Sequence, residues 1–516
     1  MNKSHYIENY VVVGGGTAGW ISACLLASKL KDDPRKSVTL IEAPDIPIIG
    51  VGEGTVPSIR NTLKKIGISE TELFRECDAT FKQSIKFVNW NDKYRHRGKN
   101  FYHHLFDYPM PFGDDLSSYW KQQRNDELTS ASFAQFVSIQ YDVAESGLAP
   151  KDMTNAQYEG VCDYAYHIDA HKFAQLLKTH AIRNLNVQYI QDKVIDLKLD
   201  SSGHIQSLLL EQQGEKSYDF YVDCSGFSSF ILGQKLQVPF KSQSDIILTD
   251  TALTIQVPAV DEAIPPYTIS TAHQAGWIWD IALTQRRGVG LVYSSQFMDE
   301  NAALEKLSRY TQMDLTDSSV RKIDMQIGYR EKFWHKNCVA IGLSQGFVEP
   351  LEATAILLSD FSANLLCNKL PDSYQQLSLL ASRYNQRVEY AWRGVVDFVK
   401  LHYCISDRND SEFWRANRNP NSIPVSLQDK LALWQHCAIS KDDFFSKFEV
   451  FDIENYLYVL NGMNFTGGSQ FMSGQARHNY AEQVQRVKDT AAVYKQKLLS
   501  HRELINKIYQ YGLPKV

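Results

Sequence analysis

The sequence predicts an α/β fold: a Rossmann-like dinucleotide domain, discontinuous in the chain, with an inserted mixed sheet and a largely helical C-terminal region. Three observations predict it. Val11-Val12-Val13-Gly14-Gly15-Gly16-Thr17-Ala18-Gly19-Trp20 reads as a buried strand, a glycine turn and the start of a helix. Val38-Thr39-Leu40-Ile41 reads as a second strand and ends in Glu42. Much later, Asp223-Cys224-Ser225-Gly226 and Val339-Ala340-Ile341-Gly342 repeat the pattern of a strand running into small residues. Such segments, so far apart, belong to one cofactor domain only if other structure is inserted between them.

Each element follows in order. Gly14 makes the turn, Gly16 lets backbone approach a pyrophosphate, and Gly19 lets helix pack on strand. Thr17 and Ala18 open a helix whose free N–H groups and positive dipole end favour phosphate. Glu42 stands where an acidic residue takes ribose hydroxyls. Gly50-Val51-Gly52-Glu53 lies in a loop too rich in Gly and Pro for helix or strand, and such loops pass close to cofactors. A helix is expected over 57–65. Phe81-Lys82 and Ile85-Lys86-Phe87 place two lysines in an apolar segment. Composition alone puts both ammonium groups at the surface with their stems on apolar neighbours; a buried one would be a reagent. His103-His104 is read as part of an aromatic loop, used for packing or for contact with an aromatic substrate rather than for metal.

A helix is expected over 164–182 with His167, Asp169 and His171 among its early residues, followed by strands near 187–190, 194–197, 207–211 and 218–222. Residues 251–295 read as antiparallel sheet, with turns at Pro265-Pro266 and Arg286-Arg287-Gly288. Trp277 and Trp279, two apart on a strand, face one side, and composition alone reads them as core. Strand, loop and helix recur over 339–356. Long helices are expected over 385–403 and 476–509, around a looser aromatic stretch at 444–465.

Composition narrows the function. The chain has 516 residues, enough for more than one core, with 44% hydrophobic and 22% charged residues. A net charge of −5 gives no handle for nucleic acid or an anionic membrane. No apolar run reaches the roughly 18–20 residues of a membrane span. The N-terminus has no signal-peptide core, so the expected location is cytoplasmic. The eight cysteines are scattered and read as reduced thiols, with no metal site.

Taken together, these segments resemble the flavin-dependent tryptophan halogenases over most of the chain. The carriers are the Gly14–Trp20 loop, Gly50-Val51-Gly52-Glu53, the two-lysine segment, Asp223-Cys224-Ser225-Gly226, Trp277-x-Trp279-x-Ile281 and Phe347-Val348-Glu349-Pro350-Leu351-Glu352. The resemblance implies FAD, delivered as FADH2 by a separate flavin reductase, within a domain of the flavin monooxygenase type. Val51, Gly52, Glu53, Gly342 and Ile356 join the glycine loop and Glu42 as cofactor contacts. It further implies that halide, chloride or bromide, is oxidised to hypohalous acid and delivered through a tunnel to an indole-type aromatic: tryptophan, indole or a derivative. Lys82 matches the tunnel lysine, which reverses the composition-only reading of that residue. Glu352 matches its partner carboxylate. Thr354-Ala355 matches the halide site, with Ala355 where the family usually has Gly. Trp277 and Trp279 would separate flavin from tunnel, with Ala282 where the family motif ends in Pro. His104 and Phe106 match the substrate-stacking pair, and Tyr456 falls near substrate-contacting tyrosines.

The expected organisation is an FAD-binding module over 1–383, with an inserted sheet at about 240–330 and substrate-pocket loops at about 90–160, and a helical substrate module over 384–516. The sequence leaves monomer and homodimer open. Two other readings fit the same scaffold, an FAD-dependent aromatic hydroxylase and a non-catalytic flavin-binding protein.

Overall fold

A run of three valines after polar residues makes a strand that can only be buried, and Asn9–Val13 is the centre of the molecule's parallel sheet. The structure, a computed structural model, describes residues 6–45, 52–92, 100–110, 116–259, 263–315 and 320–515. Val51 lies outside the described residues. Strand order in the six-stranded sheet is Trp334–His335, Cys338–Ala340, Phe220–Asp223, Asn9–Val13, Ser37–Glu42, Gln188–Gln191. All neighbours are parallel except the Trp334–His335 edge. The three sequence-distant segments expected to share a domain are therefore adjacent strands.

Helix Thr17–Leu30 leaves the first strand and packs between Ala170–Asn184 and Thr354–Asn368. It is buried from Gly19 to Ala27, and each fully buried Trp or Leu there contributes about 1.5–3 kcal/mol.

A second sheet of seven strands runs Arg321–Asp324, Thr251–Pro258, Arg286–Tyr293, Gly276–Ala282, Thr268–His273, Ser84–Val88, Phe101–Leu105. It is antiparallel save for the pair Thr268–His273 and Ser84–Val88. A small sheet joins Glu53–Gly54, Ala165–Ile168 and Thr80–Lys82. The two-lysine segment thus serves two sheets, with Lys82 ending one strand and Ser84 beginning another.

Several expectations are corrected. Residues 165–168 are strand, and the helix begins at Ala170 with Asp169 as its N-cap, accepting from His171 N and Lys172 N at 3.0 Å each. Arg286-Arg287-Gly288 is strand rather than turn, paired to both Pro258-side and Ala282-side neighbours. His103-His104 lies in strand Phe101–Leu105, not in a loop. The helix expected over 476–509 is two, Gly474–Lys497 and His501–Tyr511. The aromatic stretch 444–465 contains helix Ile453–Gly462. The helix expected from 385 begins earlier, as Leu377–Cys404, and runs through the boundary expected at 383/384.

Candidate active site

The glycine turn opens onto a cavity. Gly14 has φ +120°, and a Cβ there would come within 2.1 Å of the Cys224 carbonyl oxygen, so only glycine lets the turn rest on the neighbouring strand end. Gly19 packs equally close, its Cβ position 1.9 Å from Gly14 O. A Cβ on Gly16 would meet nothing within 4 Å. Gly16 is also the N-cap of helix Thr17–Leu30, and no side chain caps that end. The first amides of the helix, at Thr17 and Ala18, therefore face open space, as an anion site requires.

The cavity has a volume of about 670 Å³ and is mostly apolar. From the glycine turn and Glu42 it passes Gly52, Glu53 and Gly342 to Lys82, Trp277, Trp279 and the start of helix Thr354–Asn368. Glu42 is held by Lys178 Nζ at 2.7 Å and the Tyr189 hydroxyl at 2.8 Å. Burial raises the Glu53 carboxyl to about 7. Gly342 and Ile356 line the wall near Ala18. Asp223 points away from the cavity: its oxygens accept from Ser225 N, Ile231 N and Leu232 N at 2.8–3.0 Å and hold the turn that brings Ser225 and Gly226 to the wall.

Trp277 and Trp279 share a face, with ring centroids 6.1 Å apart. Trp279 lies flat over the adjoining strand, where a Cβ on Gly290 would sit 2.0 Å from its ring. Both indoles line the cavity, so they form its wall as well as part of the core.

Lys82 is 1% exposed. Its ammonium donates to the Thr55 carbonyl at 3.0 Å and lies 5.2 Å from the centre of the Phe106 ring. Burial lowers it to about 8, with Glu352 pulling the other way. The surface placement expected from composition is wrong for Lys82 because its strand, Thr80–Lys82 of the small sheet, is buried throughout. Lys86 keeps to that expectation, pairing with Glu145 at 2.7 Å.

Glu352 is 2% exposed and lies between two histidines. His104 Nδ1 is 3.0 Å from each carboxylate oxygen, and His402 Nε2 is 2.9 Å from Oε1. Burial alone would raise this carboxyl, but the two histidines hold it down at about 2. His402 was missed by sequence reading, as was the bond from Tyr403 to the buried Glu349 at 2.5 Å, which anchors the loop bearing Glu352. The available signal was Asp397, Lys400 and His402 inside the otherwise apolar run Val395–Tyr403. Thr354 and Ala355 are the first two residues of helix Thr354–Asn368, after Ala353 in a left-handed conformation at φ +56°. That N-terminus carries no side-chain cap, and Ala353 and Ala355 line the cavity. Tyr456 is farther off, buried against Phe398 at 4.9 Å, and Phe398 in turn meets the His104 ring at 5.7 Å. Lys82, Phe106, His104 and Glu352 come together; Tyr456 stands one ring behind.

The tryptophan halogenase family model matches residues 9–476. The chain belongs to the tryptophan halogenase family. It is 37% identical over 423 residues to the tryptophan 7-halogenase KtzQ of Kutzneria, a match covering 80% of this chain and 78% of that protein. The crystal structure of a tryptophan halogenase from Shewanella frigidimarina matches with a TM-score of 0.94 at 39% identity, covering 99% of each chain. Xcc4156, a flavin-dependent halogenase from Xanthomonas campestris, matches with a TM-score of 0.88 at 28% identity, covering 99% of this chain and 100% of that one. Enzymes of this family are flavin-dependent. The halogenase's cavity fits FAD: it offers an uncapped helix end for pyrophosphate, an acid at the second strand for ribose, and an apolar, Trp-walled end for a flat ring. No helix among the described residues is long and apolar enough to cross a membrane.

Proposed function

We propose that this chain is the halogenating component of a two-component system, using FADH2 from a separate reductase, O2 and chloride or bromide to halogenate an indole-type aromatic. Bound in the cavity, the reduced cofactor with O2 and halide supplies hypohalous acid. Gly14, Gly16, Thr17, Ala18 and Gly19 hold its pyrophosphate, Glu42 its ribose, and Gly52, Glu53, Gly342 and Ile356 the remaining wall; Val51 is assigned with them on sequence. The uncapped amides at Thr354 and Ala355 bind halide. Trp277 and Trp279 keep the aromatic substrate away from the flavin end, so oxygen is not transferred to it directly.

Lys82 carries this reading. Its ammonium stands at the cavity end, against Phe106, with the His104–Glu352 group beyond it. Lys82 receives the hypohalous acid and holds it by hydrogen bond or as a haloamine. His104 and Phe106 flank the substrate ring, Tyr456 backs the pocket through Phe398, and Glu352 takes the ring proton after halogen adds. The work divides between an FAD-binding module over 1–383, which also carries the inserted sheet at about 240–330 and the substrate-pocket loops at about 90–160, and a mainly helical substrate module over 384–516.

The test is mass spectrometry of a pooled set of indole, tryptophan and indole derivatives after incubation with the enzyme, a flavin reductase, NADH, FAD and O2, with chloride, with bromide and without halide. Halogenated products that require halide are expected. Oxygenated products in the halide-free arm would instead establish a hydroxylase, and no product in any arm a flavin-binding protein without this activity.

A further inference from the structure

Each histidine on Glu352 has its second nitrogen already committed. His402 Nδ1 lies 2.8 Å from the carbonyl oxygen of Phe398, one turn back on its own helix. A carbonyl only accepts, so Nδ1 carries a hydrogen. In a neutral imidazole the other nitrogen, Nε2, would then be a bare lone pair. That nitrogen is 2.9 Å from Glu352 Oε1, itself an acceptor. Two acceptors at that distance repel unless a proton lies between them. His104 is bound by the same logic. Its Nε2 is 2.9 Å from Asn455 Oδ1, and the amide is oriented by Asn455 Nδ2 donating to Glu454 Oε1 at 2.9 Å. The Nε2 hydrogen is spent on Asn455, while Nδ1 faces both carboxylate oxygens.

The His402 contact is short but off the line of a straight hydrogen bond, as such contacts often are before substrate binds. Rings of Phe87, Trp90 and Phe398 pack around His402 at 4.9–6.0 Å between centroids. The other polar groups facing the pair are His104, the Lys82 ammonium, which interacts with Glu352 by charge alone, and the buried Tyr102 hydroxyl.

We propose that His402 is a positioning residue that stores the working proton of Glu352: the resting pair is an imidazolium beside a carboxylate. The inference rests on the halogenase reading and extends it. In the transfer, the C–X bond forms as the O–X bond of hypohalous acid breaks, and the departing oxygen needs a proton to leave as water. The stored proton goes to that oxygen through Glu352. The ring carbon then loses its C–H proton to the Glu352 carboxylate, which restores the pair. The sum is arene plus hypohalous acid giving haloarene plus water, with no residue oxidised and no net proton change.

The test is NMR of the ligand-free, full-length enzyme labelled with ¹⁵N-histidine, with the His402 signals assigned by their loss in His402→Gln. Hydrogens on both His402 nitrogens at neutral pH are expected, with return to a singly protonated ring in Glu352→Gln. A His402 carrying only the Nδ1 hydrogen in the unsubstituted enzyme would overturn the proposal. This spectrum requires neither turnover nor a folded variant at His402: Glu352→Gln shifts both rings on the carboxylate, and the one left with its Nδ1 hydrogen is His402 while the one left with its Nε2 hydrogen is His104. In turnover, His402→Gln keeps an N–H donor but cannot ionise. Halogenation is expected to fall about 100-fold, with FAD affinity unchanged and no primary isotope effect on ring-deuterated indole, because the step slowed is C–X formation and C–H cleavage follows it. An unchanged rate, or a fall accompanied by a primary isotope effect, would overturn the relay, while absence of halogenation in the parent enzyme would instead sink the function on which it rests.

Discussion

A lysine ammonium in a dry pocket costs stability whenever it is charged. Lys82 sits at about 8 in the folded chain against 10.5 when exposed. The unfolded chain therefore holds the extra proton between those values, and stability rises with pH across that window. The shift amounts to about 3 kcal/mol. Lys82→Met removes the group, so its stability relative to the parent enzyme is expected to be most favourable below pH 8 and to decline by about 3 kcal/mol towards pH 10.5, followed by urea unfolding at several pH values. A pH-independent difference would mean that Lys82 is solvated. This burial was not legible in composition. Lys82 and Lys86 are four apart, so one continuous strand would put them on the same face. Gln83 breaks the strand, the two halves join different sheets, and the shared face is lost. The pairing of His402 with Glu352 was equally hidden, because a contact between helix Leu377–Cys404 and the loop before helix Thr354–Asn368 has no periodic signature.

At the scale of elements, the uncapped N-terminus of helix Thr17–Leu30 leaves its amides free for an anion at some cost to the ligand-free helix. Gly16 has φ −74°, open to any residue, and nothing crowds its Cβ position. Gly16→Asp is expected to cap the helix and stabilise the ligand-free protein by about 1 kcal/mol, while weakening FAD at least about tenfold by charge repulsion. Denaturant melts and flavin titration should show these opposite signs; tighter FAD binding would remove the pyrophosphate from this helix end. Strand–turn–helix units like this one were the most legible part of the fold, since hydrophobic runs and glycine spacing encode them locally. The start of the helix at Ala170 was also available, because Asp169 is an N-cap residue type. Extending that helix back over Tyr164–Ile168 mistook an alternating aromatic strand for helical periodicity.

Over the whole molecule, the chain returns to one cavity from segments far apart in sequence and lines it with the buried Lys82 ammonium. The parallel sheet supplies the cofactor turn, the seven-stranded sheet supplies both the Trp wall and His104, and the small sheet, whose strand ends before Gln83, supplies Lys82. The discontinuous domain could be read from the sequence because its strand ends share one residue pattern. The meeting of the two sheets could not, since strand order is set by tertiary packing. The most direct measurement is halogenation of indole by Lys82→Ala, with FADH2, O2 and halide supplied and FAD binding measured in parallel. Retained FAD binding with halogenation reduced by at least about 1,000-fold is the expected result. Full halogenation by Lys82→Ala would contradict the account, because hypohalous acid would then be reaching the ring without the residue on which delivery depends.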